Sequence, residues 1–206
     1  MKKIVILVLI LVVVSVSLYA FTKRVNVSKS RVSEAQTYAR NNGYNTNYCI
    51  FVDFSAYSGS NRFILYDLKN DRQIYACKCA HGNDGREKME ATINSFSNVV
   101  NSHKSSLGKY RIGKKRKINS VDGMFDVSMF GIPCYETHGL ESSNSNAYKR
   151  GILIHPDYLL SNSSPAPIFP FHSFGCFAIP DESINIISKY IQNSNKPVLL
   201  WAYYTN

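Results

Sequence analysis

Short runs rich in β-branched, aromatic and other apolar residues recur along most of the chain, separated by polar turn residues, and such runs are typical of β-strands. The pattern predicts strands at 48–54, 62–68, 73–80, 107–112, 127–130, 151–155 and 198–204. Asn70-Asp71 separates two of these runs and predicts a hairpin turn. The stretches 82–106 and 135–146 show no sustained period, so we expect a long functional loop and a polar, turn-like segment there.

Two segments have the period of a helix instead. Residues 31–42 follow Ser30, the predicted N-cap, and stop at Gly43. A second helix is predicted to begin at its cap, Asp181, and to end before 193–197. Its apolar stripe consists of Ile184, Ile187, Tyr190 and Ile191. Because strands dominate and short turns join neighbours, we expect a mainly β fold. It would be a curled, mostly antiparallel sheet with a lead-in helix and a C-terminal helix packed against it.

The first 21 residues differ from everything that follows. Lys2 and Lys3 precede an unbroken apolar run at 4–14, and small residues such as Ser17 and Ala20 follow it. This pattern predicts either a cleaved secretory signal or a retained membrane anchor, and both place the rest of the chain outside the cytoplasm. The expected organisation is a signal or anchor at 1–21, a spacer with a short helix at 22–47, and the main domain at 48–206.

The chain is strongly basic, with a formal net charge of +10 over 206 residues. Such an excess favours acidic partners, and for an exported protein these are carboxylate-rich wall peptides or anionic lipids rather than nucleic acid. The basic run at 109–117 is either a docking patch or a solvated hairpin.

Five cysteines make an odd number, which leaves at least one thiol unpaired or reactive in an exported protein. Cys77 and Cys79 alternate within a strand-like run, so they point to one face and cannot easily bridge to each other. No spacing resembles a zinc site, so we expect no metal and no cofactor. No protein partner is predicted.

The candidate chemistry lies in Ser173-Phe174-Gly175-Cys176, downstream of a strand that ends at His155. An imidazole can take the proton of a thiol, and the resulting thiolate attacks an acyl carbon. A buried structural cysteine is the alternative interpretation. Gly175 would allow a tight turn in which the N–H groups of Gly175 and Cys176 face a substrate oxygen, and Ser173 would bond to the imidazole or shape the turn. Three prolines at 165, 167 and 170 would stiffen the approach, or mark an ordinary surface connection.

Several short blocks around this motif are similar to one known family. They are Val52-Asp53-Phe54-Ser55, Tyr66-Asp67-Leu68, Ala80-His81-Gly82, Phe96-Ser97-Asn98, Ser105-Ser106-Leu107-Gly108, Gly139-Leu140-Glu141, Asn144-Ser145-Asn146-Ala147, Arg150, and Ile152-Leu153-Ile154-His155 with the Cys176 motif. The order and spacing of these blocks resemble those of the murein L,D-transpeptidase catalytic domain family, a branch of the YkuD-like enzymes. The resemblance implies an extracytoplasmic cysteine acyltransferase. Such an enzyme would cut a peptidoglycan stem peptide after a diamino acid and join its acyl group to another stem's amine.

The resemblance also implies residue roles. Cys176 would be the nucleophile and His155 the base, and Ser173 and Gly175 would belong to the nucleophile motif. Arg150, Asn146, His172 and Ser106 would bind substrate. For Arg150 the alternatives are fixing a carboxylate, holding the loop of Asn144 and Asn146, and a structural salt bridge, for example with Glu141. The odd offset between Arg150 and His155 would place them on opposite faces of a simple strand.

The chain departs from the family pattern at two positions that bear on activity. Pro156 follows the strand histidine where many relatives have glycine, and His172 stands where arginine is common. The second change weakens any role in holding a substrate carboxylate, because histidine titrates near neutrality. Two further functions therefore stay open: an L,D-carboxypeptidase that uses the same residues with water, and a catalytically impaired module that only binds the wall.

Overall fold

The computed structural model describes residue 8 and residues 25–83, 92–93, 95–118, 132–162 and 172–205. The predicted signal or anchor, the predicted strand at 127–130 and the three prolines at 165, 167 and 170 therefore lie outside the described residues, apart from residue 8. Among the described residues, no helix has the length and apolarity required to cross a bilayer.

Ten strands and two helices make up the described secondary structure. The strands are β1 (Tyr48–Asp53), β2 (Phe63–Asp67), β3 (Arg72–Cys77), β4 (His81–Gly82), β5 (Gly108–Ile118), β6 (Ile132–Gly139), β7 (Leu153–Asp157), β8 (His172–Ser173), β9 (Phe177–Pro180) and β10 (Leu199–Tyr203). The helices are α1 (Lys29–Asn41) and α2 (Asp181–Gln192).

Eight strands form one sheet in the order β3-β2-β1-β10-β5-β6-β7-β9, and β4 pairs with β8 in a small second sheet. Within the large sheet, β1 and β10 are parallel, as are β7 and β9, and the other neighbouring pairs are antiparallel. The predicted mainly β fold, with a curled and mostly antiparallel sheet, is thus confirmed. The hairpin of β2 and β3 turns at Asp71, which has a φ of +50°.

The sheet curls around its main core and presents its other face outward. Alternate strand residues such as Leu65, Tyr110 and Ile154 point into this core, where α2 contributes Ile184 and Ile187. Tyr190 and Ile191, the rest of the predicted stripe, pack against the same cluster. The alternation along the strands therefore sorts one set of residues inward and leaves the other set on the outer face.

The helix α1 covers one half of the outer face. Its small buried residues Ala35 and Ala39 pack with Phe51 and Trp201 of the two central parallel strands. Lys109 of β5 fastens the helix electrostatically, with Nζ 2.9 Å from Glu34 Oε1 and 3.2 Å from Glu141 Oε1. The strands β6, β7 and β9 form the other half, and no described helix covers their outer face.

Both predicted helix caps are displaced. α1 begins at Lys29, with Ser28 as its N-cap, whose Oγ accepts a hydrogen bond from the Arg31 N–H at 3.3 Å. Ser30 therefore lies in the first turn and is not the cap. At α2 the N-cap is Pro180, which makes no side-chain hydrogen bond, because β9 runs directly into the helix and makes Asp181 its first residue.

The predicted turn-like segment at 135–146 is wrong in its first part. The strand β6 continues to Gly139, because Tyr135 and Thr137 alternate inward while Glu136 and His138 point outward. Polar residues on the outer face of a strand hide its period when the neighbouring inward residues are Tyr and Thr. The turns begin only after Leu140. Likewise β3 ends at Cys77, three residues before the predicted end of that strand.

Candidate active site

His155 and Cys176 lie on the same outer face of two adjacent parallel strands. In the register of β7 and β9, His155 is paired with Ala178. Cys176 precedes Ala178 by two residues, so its side chain points to the same face, one diagonal step from the imidazole. The parallel pairing thus brings together two residues that are 21 positions apart in the chain.

The sulfur of Cys176 sits among main-chain groups at the start of β7. The N–H of Leu153 points at Sγ from 3.5 Å, and the Gly151 carbonyl oxygen lies 3.6 Å from it. In the resting state the thiol can donate to that carbonyl, and the Leu153 N–H favours the sulfur once it becomes anionic. Cys176 and His155 are each only 4% exposed.

The orientation of the imidazole is set by the residue that follows it. His155 Nδ1 lies 2.9 Å from the Pro156 carbonyl oxygen. A carbonyl only accepts hydrogen bonds, so Nδ1 is the protonated nitrogen of the neutral ring and Nε2 carries the lone pair. Pro156, a departure from the family pattern, therefore supplies the main-chain acceptor that sets the tautomer of the ring.

The turn before Cys176 is tightly built. Ser173 Oγ donates to the Cys176 carbonyl at 2.7 Å and accepts from the Gly175 N–H at 3.2 Å. The described contacts of Ser173 are thus those of a turn-shaping residue. The Gly175 N–H is engaged inside the turn in this structure rather than offered to a substrate oxygen. Gly175 has a φ of +104°, a conformation that L side chains rarely adopt.

Arg150 holds the loop at 97–106 next to the turn at 173–176. It precedes β7 rather than lying in it, so the predicted parity relation with His155 does not apply. Its guanidinium donates to the Ser97 carbonyl at 2.8 Å and to Ser106 Oγ at 2.9 Å, and it also binds the Lys104 carbonyl. No salt bridge joins Arg150 to Glu141, a residue that the structure describes in contact with Lys109 instead.

The charge of Arg150 lies near the thiol. Burial lowers the pKa of its guanidinium, and electrostatic interaction with Tyr110 and Cys176 opposes that shift. A cation at this position favours the anionic form of a nearby sulfur. A Cβ on Gly175 would lie 3.1 Å from Arg150 Nη2, which shows how closely the guanidinium approaches the turn.

The other residues expected to bind substrate have structural partners. Ser106 is buried and accepts from Arg150, while its carbonyl accepts from the Tyr110 hydroxyl at 2.7 Å. Asn146 is half-buried and holds Asn98 through two hydrogen bonds of 3.0 Å. Both residues thus support the loop at 97–106 and help to fix its position beside the turn at 173–176.

His172 is the partner of His81 in the small sheet of β4 and β8, and the two rings lie 5.4 Å apart, edge to face. His81 Nδ1 is 2.7 Å from Nη2 of Arg62, a fully buried guanidinium that also donates to the Cys79 carbonyl. Burial, together with Arg62 and His172, lowers the pKa of His81 to about 2, so this ring is neutral.

Gly82 was missed as a site residue, although it belongs to a block that carries the resemblance. A Cβ there would lie 2.1 Å from the His103 carbonyl oxygen and 2.7 Å from the Gly175 nitrogen. Three backbone segments therefore meet at this glycine: β4, the loop near His103 and the turn at 173–176. The signal in the sequence was the glycine of the Ala80-His81-Gly82 block, because a glycine within a strand can mark close backbone approach.

Comparison with known proteins agrees with this architecture. A family model described as the L,D-transpeptidase catalytic domain matches residues 21–203. The chain belongs to this family. It is therefore a YkuD-type L,D-transpeptidase domain, of a family that acts in the cell wall on peptidoglycan.

Three solved structures are among those to which this chain is similar. The first is the helical cell shape determining protein Pgp2 from Campylobacter jejuni, which is 15% identical with a TM-score of 0.48. The match covers 77% of this chain and 48% of the Pgp2 chain. Bd1075 from Bdellovibrio bacteriovorus is 16% identical with a TM-score of 0.45, and the match covers 78% of this chain and 49% of the Bd1075 chain. An L,D-transpeptidase from Xylanimonas cellulosilytica is 13% identical with a TM-score of 0.40, and the match covers 81% of this chain and 68% of that protein's chain. The chain spans about half the length of the first two. No curated protein matches it.

The five cysteines of this L,D-transpeptidase domain are all free thiols and all buried. Four of them lie away from the site: Cys49, Cys77, Cys79 and Cys134. Burial raises the pKa of each, to about 12 for Cys79. These thiols therefore stay protonated at neutral pH.

The replacement Gly175→Ala is expected to slow acylation of Cys176 in this domain by about tenfold or more, because a misplaced nucleophile is costly. The added Cβ would lie 2.8 Å from the Lys104 carbonyl oxygen, on a backbone with a φ of +104°. The rate of adduct formation on Cys176 measures the effect. Gly43→Ala is the matched control, since Gly43 also has a positive φ, of +75°, but no atom within 4 Å of its Cβ position. An unchanged rate in Gly175→Ala would contradict the role of this turn.

Proposed function

We propose that the protein catalyses cysteine-dependent acyl transfer on peptidoglycan stem peptides, as an L,D-transpeptidase. Cys176 attacks the carbonyl of a diamino acid in a donor stem peptide and forms a thioester. His155 Nε2 takes the thiol proton and passes it to the departing D-amino acid. The amine of a second stem peptide then attacks the thioester, gives up a proton to His155, and releases Cys176.

The observation that carries this proposal is the placement of His155 and Cys176 on one face of adjacent strands, with Nδ1 directed at the Pro156 carbonyl. That hydrogen bond leaves Nε2 as the basic atom. The Leu153 N–H and the Arg150 guanidinium supply the positive potential that a thiolate needs. The same Leu153 contact holds the sulfur at the edge of the strand that carries the base.

The proposal includes location. A peptidoglycan substrate lies outside the cytoplasm, so we assign residues 1–21 as the export signal or membrane anchor, 22–47 as the lead-in segment, and 48–206 as the catalytic domain. The formal net charge of +10 suits a carboxylate-rich wall. The helix α1 at the end of the lead-in segment packs on the sheet, which gives that segment a structural part in the domain.

The test is incubation of the purified chain with a tetrapeptide-bearing muropeptide, followed by intact mass measurement and analysis of the products. We expect a thioester on Cys176, release of the terminal D-amino acid, and cross-linked dimers. Shortened monomers with no dimers would assign the reaction to an L,D-carboxypeptidase, with water as acceptor. Retention on sacculi without any adduct or turnover would refute the catalytic proposal and favour a wall-binding module.

A further inference from the structure

The loop at 97–106 contains a histidine whose backbone is in a conformation that residues other than glycine rarely adopt. His103 has a φ of +54°, in the left-handed region. This conformation costs stability and persists only where the surrounding contacts impose it. Asparagine, aspartate and histidine are the residues that adopt it most often after glycine. The conformation of His103 therefore needs a cause in the neighbouring structure.

A second residue of this loop, Asn101, has a positive φ of +61° for a local reason. The Ser102 N–H donates to the Val99 carbonyl at 3.3 Å, which closes a turn with Asn101 at its third position. A positive φ at that position is common in turns, and glycine or asparagine is preferred there. The side chain of Asn101 is exposed. His103 lies outside this turn, so the turn does not account for its conformation.

The ring of His103 stacks on Phe174, the residue between Ser173 and Gly175. The two ring centroids lie 4.5 Å apart, and the ring planes are inclined by 34°. Both residues are half-buried. An aromatic pair at this separation stabilises a structure beyond the area that it buries. The contact therefore joins the loop at 97–106 to the turn at 173–176 through two side chains.

The two residues that follow His103 are held in place by hydrogen bonds. The Lys104 carbonyl accepts from Arg150, and Ser105 Oγ accepts from the Gly82 N–H at 3.0 Å. The carbonyl of His103 itself packs on Gly82, where an added Cβ would lie 2.1 Å from its oxygen. The left-handed backbone of His103 thus allows its carbonyl to pack on Gly82 while its ring packs on Phe174.

Histidine combines the two properties that position 103 uses. Phenylalanine and tyrosine carry an aromatic ring but are outliers at a positive φ, whereas asparagine adopts a positive φ but has no ring. The chain has asparagine at 101, where the turn requires only the backbone conformation, and histidine at 103, where a ring contact is added. The residue type at 103 therefore fits a position that needs both the conformation and the stack.

We infer that His103 is a positioning residue for the thiol: through Phe174, its ring holds the turn at 173–176 in the form that aims Cys176 at an acyl carbon. Inside the turn, Ser173 Oγ bridges the Gly175 N–H and the Cys176 carbonyl. The stack fixes the same turn from outside. In this role His103 transfers no proton and touches no substrate. The inference rests on the proposed function, because it gives the stack a part in the acylation of Cys176.

The experiment compares the full chain with His103→Asn, Phe174→Leu and the double variant. Asparagine keeps the preference for a positive φ but removes one ring, and leucine keeps an apolar side chain but removes the other. Asn101→Gly is the matched control, because it changes an exposed residue of the same loop with a similar φ. The rate of thioester formation on Cys176 is measured against the concentration of a tetrapeptide-bearing muropeptide, below the unfolding temperature of each variant.

We expect His103→Asn to lower kcat for acylation about tenfold with KM unchanged, because a misplaced nucleophile slows the chemical step rather than substrate binding. The double variant should be no slower than Phe174→Leu, since His103 acts through that ring. Asn101→Gly should keep the wild-type rate. A wild-type kcat in His103→Asn, or additive losses in the double variant, would overturn the inference while leaving the proposed function intact.

Hydrogen exchange tests the stack without the reaction. The Gly175 N–H is held inside the turn by Ser173 Oγ, so its exchange reports opening of the turn. Peptides that cover 173–176 should exchange about fivefold faster in His103→Asn and in Phe174→Leu, as the loss of one aromatic pair allows, and at the wild-type rate in Asn101→Gly. Unchanged exchange in His103→Asn would overturn the inference whether or not the chain forms a thioester. Faster exchange in a chain whose wild type forms no thioester would refute the proposed function and still support His103 as the residue that holds the turn.

Discussion

Replacing Cys176 with alanine is expected to abolish thioester formation and to reduce turnover of tetrapeptide donors below about one thousandth of the wild-type rate. The sulfur is the atom that forms the covalent intermediate, and no described residue near His155 supplies a second nucleophile: Ser173 Oγ is committed to the turn. Intact mass measurement after donor addition detects the thioester, and product analysis measures the turnover.

The control for this variant is Cys49→Ala, which removes another fully buried thiol at a distance from the site. Burial raises the pKa of Cys49, so this thiol stays protonated and its loss should leave acylation unchanged. Thermal unfolding of both variants separates a folding defect from a chemical one. Turnover in Cys176→Ala equal to that of wild type would end the assignment of Cys176 as the nucleophile.

Replacing His155 with glutamine is expected to lower the acylation rate by about 10²- to 10⁴-fold, the usual contribution of a general acid–base group. Glutamine keeps a polar side chain of similar length at the position that contacts the Pro156 carbonyl, but it cannot take a proton. With its base removed, the thiol ionises only at higher pH. The midpoint of the pH profile for alkylation of Cys176 by iodoacetamide should therefore shift upward in His155→Gln.

His138→Gln is the matched control for this second prediction, because His138 lies on the same outer face but contacts Glu136 and Tyr148 instead. Its alkylation profile should coincide with that of the wild-type chain. If His155→Gln and wild type gave the same profile and the same acylation rate, His155 would have no part in activating the thiol.

The fold was largely predictable because the inward residues of most strands are aliphatic or aromatic. Segments such as 48–54 and 198–204 supply residues to the core at every second position, and the structure contains β1 and β10 there. The prediction was wrong for β6, where the inward residues are Tyr135 and Thr137. Both side chains are polar, yet both are buried because their hydroxyl groups have partners. The Tyr135 hydroxyl donates to Ser188, and the Thr137 hydroxyl donates to a main-chain carbonyl.

The candidate thiol and imidazole could be named from the sequence, since a motif and a strand pattern mark them. Their relative placement could not, because it depends on the parallel register of β7 and β9. The role of Arg150 depends on long-range contacts too: its partners Ser97, Lys104 and Ser106 lie more than forty residues away in the chain.

The position of β10 in the sheet has a consequence for how the chain acquires its fold. The strand lies between β1, its parallel neighbour, and β5, and joins the half-sheet β1–β3 to the strands that carry His155 and Cys176. Cys49 pairs with Leu199, a separation of 150 residues, so this closure is a slow, non-local step. Until β10 is available, β1–β3 and the strands next to His155 and Cys176 cannot join into one continuous sheet.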